Sequence, residues 1–299
     1  MENKCTCAVD NWKEVNETLP DIQNLNSPHI DKEIPRVGIK GFKLPITVMM
    51  KEKGKQLNTI AKLSSYSNLS SKLKGTNMSR YSIVLTDSFL DKQVSILNMP
   101  DILDNLAEKI GSTNSYIQIN FDYLITKKAP NSKTPSFFNV PCIIEGQRVF
   151  TSDGEKEGLN YEFYLTTFVN YTSLCPCSKE ISKYGAHNQR STAIIKVELK
   201  NPREKDYKLF YIEDAVDVVE KHASAPIRNT LKRVDEKHQT ELMYERPRFV
   251  EDMSRLIAIE LEDNYLDKTI YDFSVVIEHY ESIHQLDAVA MINAGRKLI

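Results

Sequence analysis

No apolar run in this chain approaches the ~18 residues that a membrane-spanning helix needs. The N-terminus, MENKCTCAVDNWKEV, also lacks the apolar centre of a signal peptide. The expectation is a soluble, cytoplasmic protein with no membrane partner. Charge of one sign is missing too: 39 Lys and Arg face 41 Asp and Glu, a formal net charge of -2. Bulk charge therefore makes no case for nucleic-acid binding. Cysteine is scarce and odd in number, with five at Cys5, Cys7, Cys142, Cys175 and Cys177. That excludes a paired disulfide framework as the basis of a cytosolic fold of this size. Ten glycines and twelve prolines in 299 residues exclude collagenous and low-complexity classes. G-x-G-x-x-G, H-E-x-x-H, the Walker spacing and the nucleophile elbow are all absent.

What is present is globular. Hydrophobic residues make up 41% and charged residues 27%, and the length suits one large or two modest domains. Residues 1–35 are polar and read as an arm or partner-binding extension. Beyond them, 37–50 and 56–67 read as strands, and 80–91 and 101–110 as helices. Ile117, Ile119, Phe121, Tyr123 and Ile125 then alternate as a half-buried strand does, and 137–144 is extended. A break at 151–158 (TSDGEKEG) precedes the same order again. Strands are expected at 161–171 and 192–199, then a helix over 212–231. A second helix follows Pro247, with Phe249, Met253, Leu256 and Ile257 as its stripe. Two further strands run through Phe273, Val275 and Ile277 and over 288–292. The fold class is α+β, with two ββααββ modules at 36–150 and 159–299, each an antiparallel sheet with helices on one face. Half-covered sheets call for a partner surface, so an oligomer is expected.

Three segments carry chemistry. In TSLCPCSKEISKYGAHNQRS, Cys175 ends one strand and His187 lies twelve residues on, just before the next. Two strand ends can bring thiolate and imidazole together, which suits a soft divalent metal or, equally, a Cys–His nucleophile. A buried Cys and a surface His is the plainer alternative, but Lys179, Glu180, Gln189 and Arg190 crowd the same connection. In LKRVDEKHQTELMYERPRFVED, Glu236 falls in a connection between helices. Glu251 falls in a first helical turn, where a carboxylate is favoured on electrostatic grounds alone. In EHYESIHQLD, Glu281 and His284 are either a metal pair or solvated turn residues. His222 reads as a packing or capping histidine. KGTNMSRY puts Gly75, Ser79 and Arg80 ahead of a helix, a weak anion-site signal.

Together, VGIKG, KGTNMSR, TSLCPCSKEIS with GAHNQRS, LKRVDEK, PRFVED and ESIHQ resemble the type IB GTP cyclohydrolases. The resemblance implies a tunnelling fold assembled as a homotetramer. It also implies conversion of GTP and water to 7,8-dihydroneopterin triphosphate and formate, the first step of folate biosynthesis. It implies one divalent metal per site, with Zn, Mn and Fe(II) all compatible with the ligand set. Cys175 and His187 would be the catalytic pair and metal ligands, with Glu236 as third ligand and Glu281 and His284 as alternative ligands. Glu251 would hold the guanine edge. Arg80, Lys179, Arg190 and Arg233 are candidates for the triphosphate. Val234 stands where the family usually has Pro, and Leu286 where His is commoner. Two rival readings follow from the same residues: a tunnelling-fold nitrile reductase with a Cys nucleophile, and a zinc-stabilised interaction protein.

Overall fold

The computed structural model describes residues 22–25, 31–90, 92–153 and 156–295. Cys5, Cys7, His29 and most of the expected N-terminal arm lie outside them. Residues 22–25 dock on the segment before the first helix, where Lys74 N and Gly75 N donate to Leu25 O and Gln23 O, both at 3.1 Å.

The first half runs β1 (Ile34–Met49), β2 (Gln56–Leu69), α1 (Met78–Phe89), the two-residue β3 (Gln93–Val94), α2 (Met99–Ile110), β4 (Ser115–Lys128) and β5 (Pro135–Asp153). The second half runs β6 (Lys156–Leu174), α3 (Pro176–Ile181), β7 (Asn188–Leu199), α4 (Ile212–His222), β8 (Ala225–Pro226), α5 (Arg233–Glu245), α6 (Val250–Asn264), β9 (Ile270–His279) and β10 (Ala288–Asn293). The twofold ββααββ order is there, but all ten strands belong to one sheet, ordered β10-β9-β7-β6-β5-β4-β2-β1-β3 with β8 beside β6. Strands β5 and β6 pair along the expected break and carry the sheet from one module to the next, with Thr151 opposite Gly158.

Period-2 patterning explains the layering. Along β4, Ile117, Ile119, Phe121, Tyr123 and Ile125 are buried under the helices, while Gln118, Asn120 and Asp122 face the other way. That second face holds a polar hollow of about 430 Å³ between Arg36, Tyr116, Glu145 and Lys196. Helix α2 begins with Pro100 in its first turn and stops at Gly111, whose φ of 77° is the left-handed conformation that glycine adopts freely. It packs so closely on β5 that a Cβ at Gly146 would lie 3.3 Å from Met99 Cε.

Two expectations change. The helix expected over 212–231 ends at His222, because its apolar stripe stops at Ala223 and Ala225–Pro226 pairs instead with Tyr171 and Thr172 of β6. The stretch around Glu236, expected as a connection, is the helix α5 (Arg233–Glu245). Only Asp235 and Gln239 are buried on it, so it carries no apolar stripe to announce it. Helices α4, α5 and α6 start alike. An aspartate three residues into each sequence accepts from the backbone N–H at the start: Tyr211 to Asp214 at 2.8 Å, Lys232 to Asp235 at 3.0 Å and Phe249 to Asp252 at 3.0 Å.

Helix α4 ties the modules together through an acidic face. Glu213 accepts from Tyr123 OH at 2.6 Å and from Lys51 N at 3.0 Å, while Lys51 Nζ reaches Asp214 at 2.6 Å. Lys127 Nζ lies 2.8 Å from Asp217 and 2.7 Å from Glu220.

Candidate active site at the mouth of the β6–β7 hairpin

The site is built where β6, β7 and β9 end together. Leu174 pairs with Asn188, and Ser191 pairs with His279. Just beyond, Cys175 N donates to His187 O at 3.1 Å, so the backbone itself closes the mouth with the thiol and the imidazole on its two sides. Pro176 then opens α3, where its missing N–H costs nothing. Ser178 N points at Cys175 Sγ from 3.4 Å, and Ser178 Oγ accepts from His187 N at 3.1 Å, pinning the two residues through one serine.

His187 Nδ1 lies 3.1 Å from Gln189 Oε1 and 3.3 Å from Ser282 Oγ. Gln189 Nε2 in turn lies 3.4 Å from Glu281 Oε1 and 2.9 Å from Ser173 Oγ. Behind them sits His279, only 2% exposed, with Nδ1 3.2 Å from Ser173 Oγ and Nε2 2.9 Å from Tyr171 OH. Burial pushes the His279 pKa down to about 4 and pushes the Tyr171 phenol up.

Cys175, His187 and Glu281 are thus brought into one neighbourhood. Glu251 joins the same sheet end, because Arg248 N donates to Leu174 O at 3.0 Å three residues before it. Its carboxylate is exposed and has no hydrogen bond or ion pair among the described residues, because the capping duty at this helix start falls to Asp252. His284 is exposed in the β9–β10 turn. Glu236 is also exposed, in the first turn of α5. Helix α3 meets α5 at its far end, where Lys179 Nζ donates to Tyr244 O at 2.6 Å and stands 4.4 Å above the Tyr244 ring. Glu236 is eight residues earlier, about 12 Å at the helical rise. Beside Glu236, Asp235 lies buried on the 131–132 turn. Burial opposes its charge, but Ser132, Lys232 and Asn131 donate to the carboxylate and hold it well below the usual range.

Among the described residues no group of three or more His, Cys, Asp and Glu side chains stands close enough to cage a metal. The donor chemistry nonetheless fits a divalent ion. Cys175 is half-buried with one backbone N–H directed at its sulfur, and the His187 ring is tied at Nδ1 and has no partner at Nε2 among the described residues.

The four basic candidates separate. Arg190 and Arg233 are exposed, with no side-chain partner among the described residues. Lys179 is engaged with α5. Arg80 donates to Lys109 O at 3.2 Å, beside Thr113 and the start of β4. That end of the sheet is level with Tyr161, thirteen residues of β6 before Leu174, or roughly 40 Å of strand. One chain cannot bring Arg80 to Cys175.

The sequence reading passed over His279 and gave Gln189 no specific part. Both continue apolar alternations on the buried face, His279 after Phe273, Val275 and Ile277, and Gln189 ahead of Ser191, Ala193 and Ile195. A polar side chain in an inward register was the available signal.

The architecture defines the class first. A urate oxidase from Bacillus sp. TB-90 superposes with a TM-score of 0.50, covering 88% of this chain and 100% of that one at 9% identity. At that identity the likeness speaks for the fold alone, and the fold is the tunnelling fold, here built from two tandem ββααββ modules. The family follows from sequence. Residues 19–290 match the family model described as type I GTP cyclohydrolase folE2. GTP cyclohydrolase FolE2 of Magnetococcus marinus is 39% identical over 279 residues, covering 93% of this chain and 97% of that protein. FolE2 of Thermosipho africanus is 38% identical, covering 91% and 98%. The chain belongs to the type I GTP cyclohydrolase FolE2 family, which sets aside the nitrile reductase and the zinc-stabilised interaction protein.

Proposed function

We propose that the mouth of the β6–β7 hairpin is where this chain, a GTP cyclohydrolase of the folate pathway, opens the imidazole ring of GTP. The product would be 7,8-dihydroneopterin triphosphate, with formate released. The observation that carries the assignment is the bond from Cys175 N to His187 O, which holds a thiol and an imidazole at adjacent strand ends.

Cys175 and His187 would hold one divalent ion, with Glu236, Glu281 and His284 as the candidates to complete its shell. Zn, Mn and Fe(II) all suit such a mixed donor set. A bound ion supplies one thing the side chains lack: it lowers the pKa of a water to about 7, so that attack on C8 is possible near neutral pH. The other parts are protein chemistry. Glu251 accepts two hydrogen bonds, from guanine N1–H and the 2-amino group, and an adenine in that place would leave the carboxylate unmatched. Arg190 and Arg233, whose guanidinium groups have no partner among the described residues, take the triphosphate with their forked donors. Arg80 can contribute only from another copy of the chain, which agrees with the expected homotetramer.

Metal content and turnover test the assignment together. Zinc-loaded parent protein is expected to hold one ion per chain, and His187→Ala is expected to lose both the ion and GTP turnover. Full metal content with full activity in His187→Ala would refute it.

A further inference from the structure

The hydrogens behind His187 can be located from one group that is unable to donate. The Glu281 carboxylate only accepts, and it lies 3.4 Å from Gln189 Nε2. The same amide nitrogen lies 2.9 Å from Ser173 Oγ, so both of its hydrogens have places. Turning the amide over would set its oxygen against the carboxylate and is disfavoured on charge alone. Gln189 Oε1 therefore faces His187 Nδ1, at 3.1 Å, and between these two atoms only the ring nitrogen can supply the hydrogen. Ser282 Oγ, 3.3 Å from the same nitrogen, serves as a second acceptor. Gln189 is 6% exposed and anchored in β7, so its amide is satisfied mainly by protein partners. Ser173 continues the chain to His279, whose Nδ1 lies 3.2 Å from Ser173 Oγ and whose Nε2 lies 2.9 Å from Tyr171 OH.

We infer that Gln189 is a positioning residue that fixes neutral His187 as its Nδ1–H tautomer and so presents the Nε2 lone pair to a divalent metal. The presentation to metal rests on the reading of His187 as a ligand; the tautomer does not. The two are separated by measuring them separately. The tautomer is read from solid-state ¹⁵N spectra of metal-free, histidine-labelled full-length protein, with His187→Asn identifying the resonance. Zinc affinity is read by competition with a chromophoric chelator. The parent is expected to carry its hydrogen on Nδ1. Gln189→Met, close in shape but without the acceptor, is expected to populate the Nε2–H form and to weaken zinc binding about 10–100-fold. A parent ring protonated on Nε2 overturns the inference, whether or not the methionine variant folds. An unchanged tautomer in folded Gln189→Met overturns it as well. Zinc affinity unaltered by His187→Ala would defeat the metal reading instead, with the parent spectrum still deciding the tautomer.

Discussion

The two modules share an order of elements but not what they do with their strand connections. In the first module the β1–β2 turn closes on itself, with Met50 N bonded to Lys55 O at 3.2 Å and Gly54 at a φ of 83°. The β4–β5 turn is as tight, with Ala129 N bonded to Thr134 O at 2.9 Å. The corresponding connections of the second module are the 175–187 segment, with its short helix, and the 280–287 turn. These carry the thiol, the imidazole and the Glu281 carboxylate. Turns that do no more than reverse the chain can be short and self-bonded. Connections that present side chains need length, together with bonds to hold them, from Ser178 within the connection and from Gln189 and Arg248 beside it. The fold is duplicated; the proposed metal ligands Cys175, His187 and Glu281 lie at one copy's strand ends.

The sharpest break in that asymmetry comes from the thiols. Cys175→Ala is expected to abolish GTP turnover while the protein stays folded and oligomeric. Cys177→Ala, at an exposed position on α3, is expected to remain within about tenfold of the parent, the lower end of what an outlying partner costs. Equal and complete loss from both would show that the turn does not discriminate between them. Next in size is the neighbouring pair on α6. Glu251→Gln is expected to lower kcat/KM by about two to four orders of magnitude with little change in melting temperature. Asp252→Ala should do the reverse, costing about 1 kcal/mol of stability through the lost cap with catalysis nearly intact. Measuring both quantities on both variants decides whether adjacent carboxylates divide function and folding in this way.

Smaller effects probe how the first module supports the second. Tyr123→Phe removes the 2.6 Å bond to Glu213 on α4 and is expected to cost about 1 kcal/mol in a urea titration, without a direct effect on substrate affinity. Smaller still is the acid response of Asp104. Burial opposes its charge, but Tyr161 and Arg203 donate to it and its carboxyl is held below the ordinary value. A depressed folded pKa means stability that is fully present above the unfolded value near 3.9 and lost as pH falls through the folded one. Asp104→Asn is therefore expected to flatten the acid limb of the stability profile and to leave the profile near pH 7 parallel to the parent's.

Much of this was legible in the sequence where a single period ruled. The alternation in β4 and the stop at Gly111 were both readable because local pattern and burial agree there. Helix α5 was not, since its buried residues are an aspartate and a glutamine. His279 was passed over because the apolar run that located β9 ended two residues earlier, at Ile277. Cys175 and His187 were readable as a pair from their place at two consecutive strand ends. The approach of the α6 start to Leu174 was not, since that contact spans more than seventy residues and depends on how α4, β8 and α5 fold back over the sheet. Nor could sequence sort the basic residues, because Lys179 and Arg80 differ from Arg190 only in what surrounds them.

The central claim is that the second module's strand ends open GTP with the help of a metal. It is met most directly by loading the protein with Zn, Mn or Fe(II), adding GTP, and following formate and pterin fluorescence together in the parent and in Cys175→Ala. The account predicts formate and pterin in equal amounts from the parent and neither from the variant. Parental turnover by Cys175→Ala, or no formate from a fully loaded parent with any of the three metals, would contradict it.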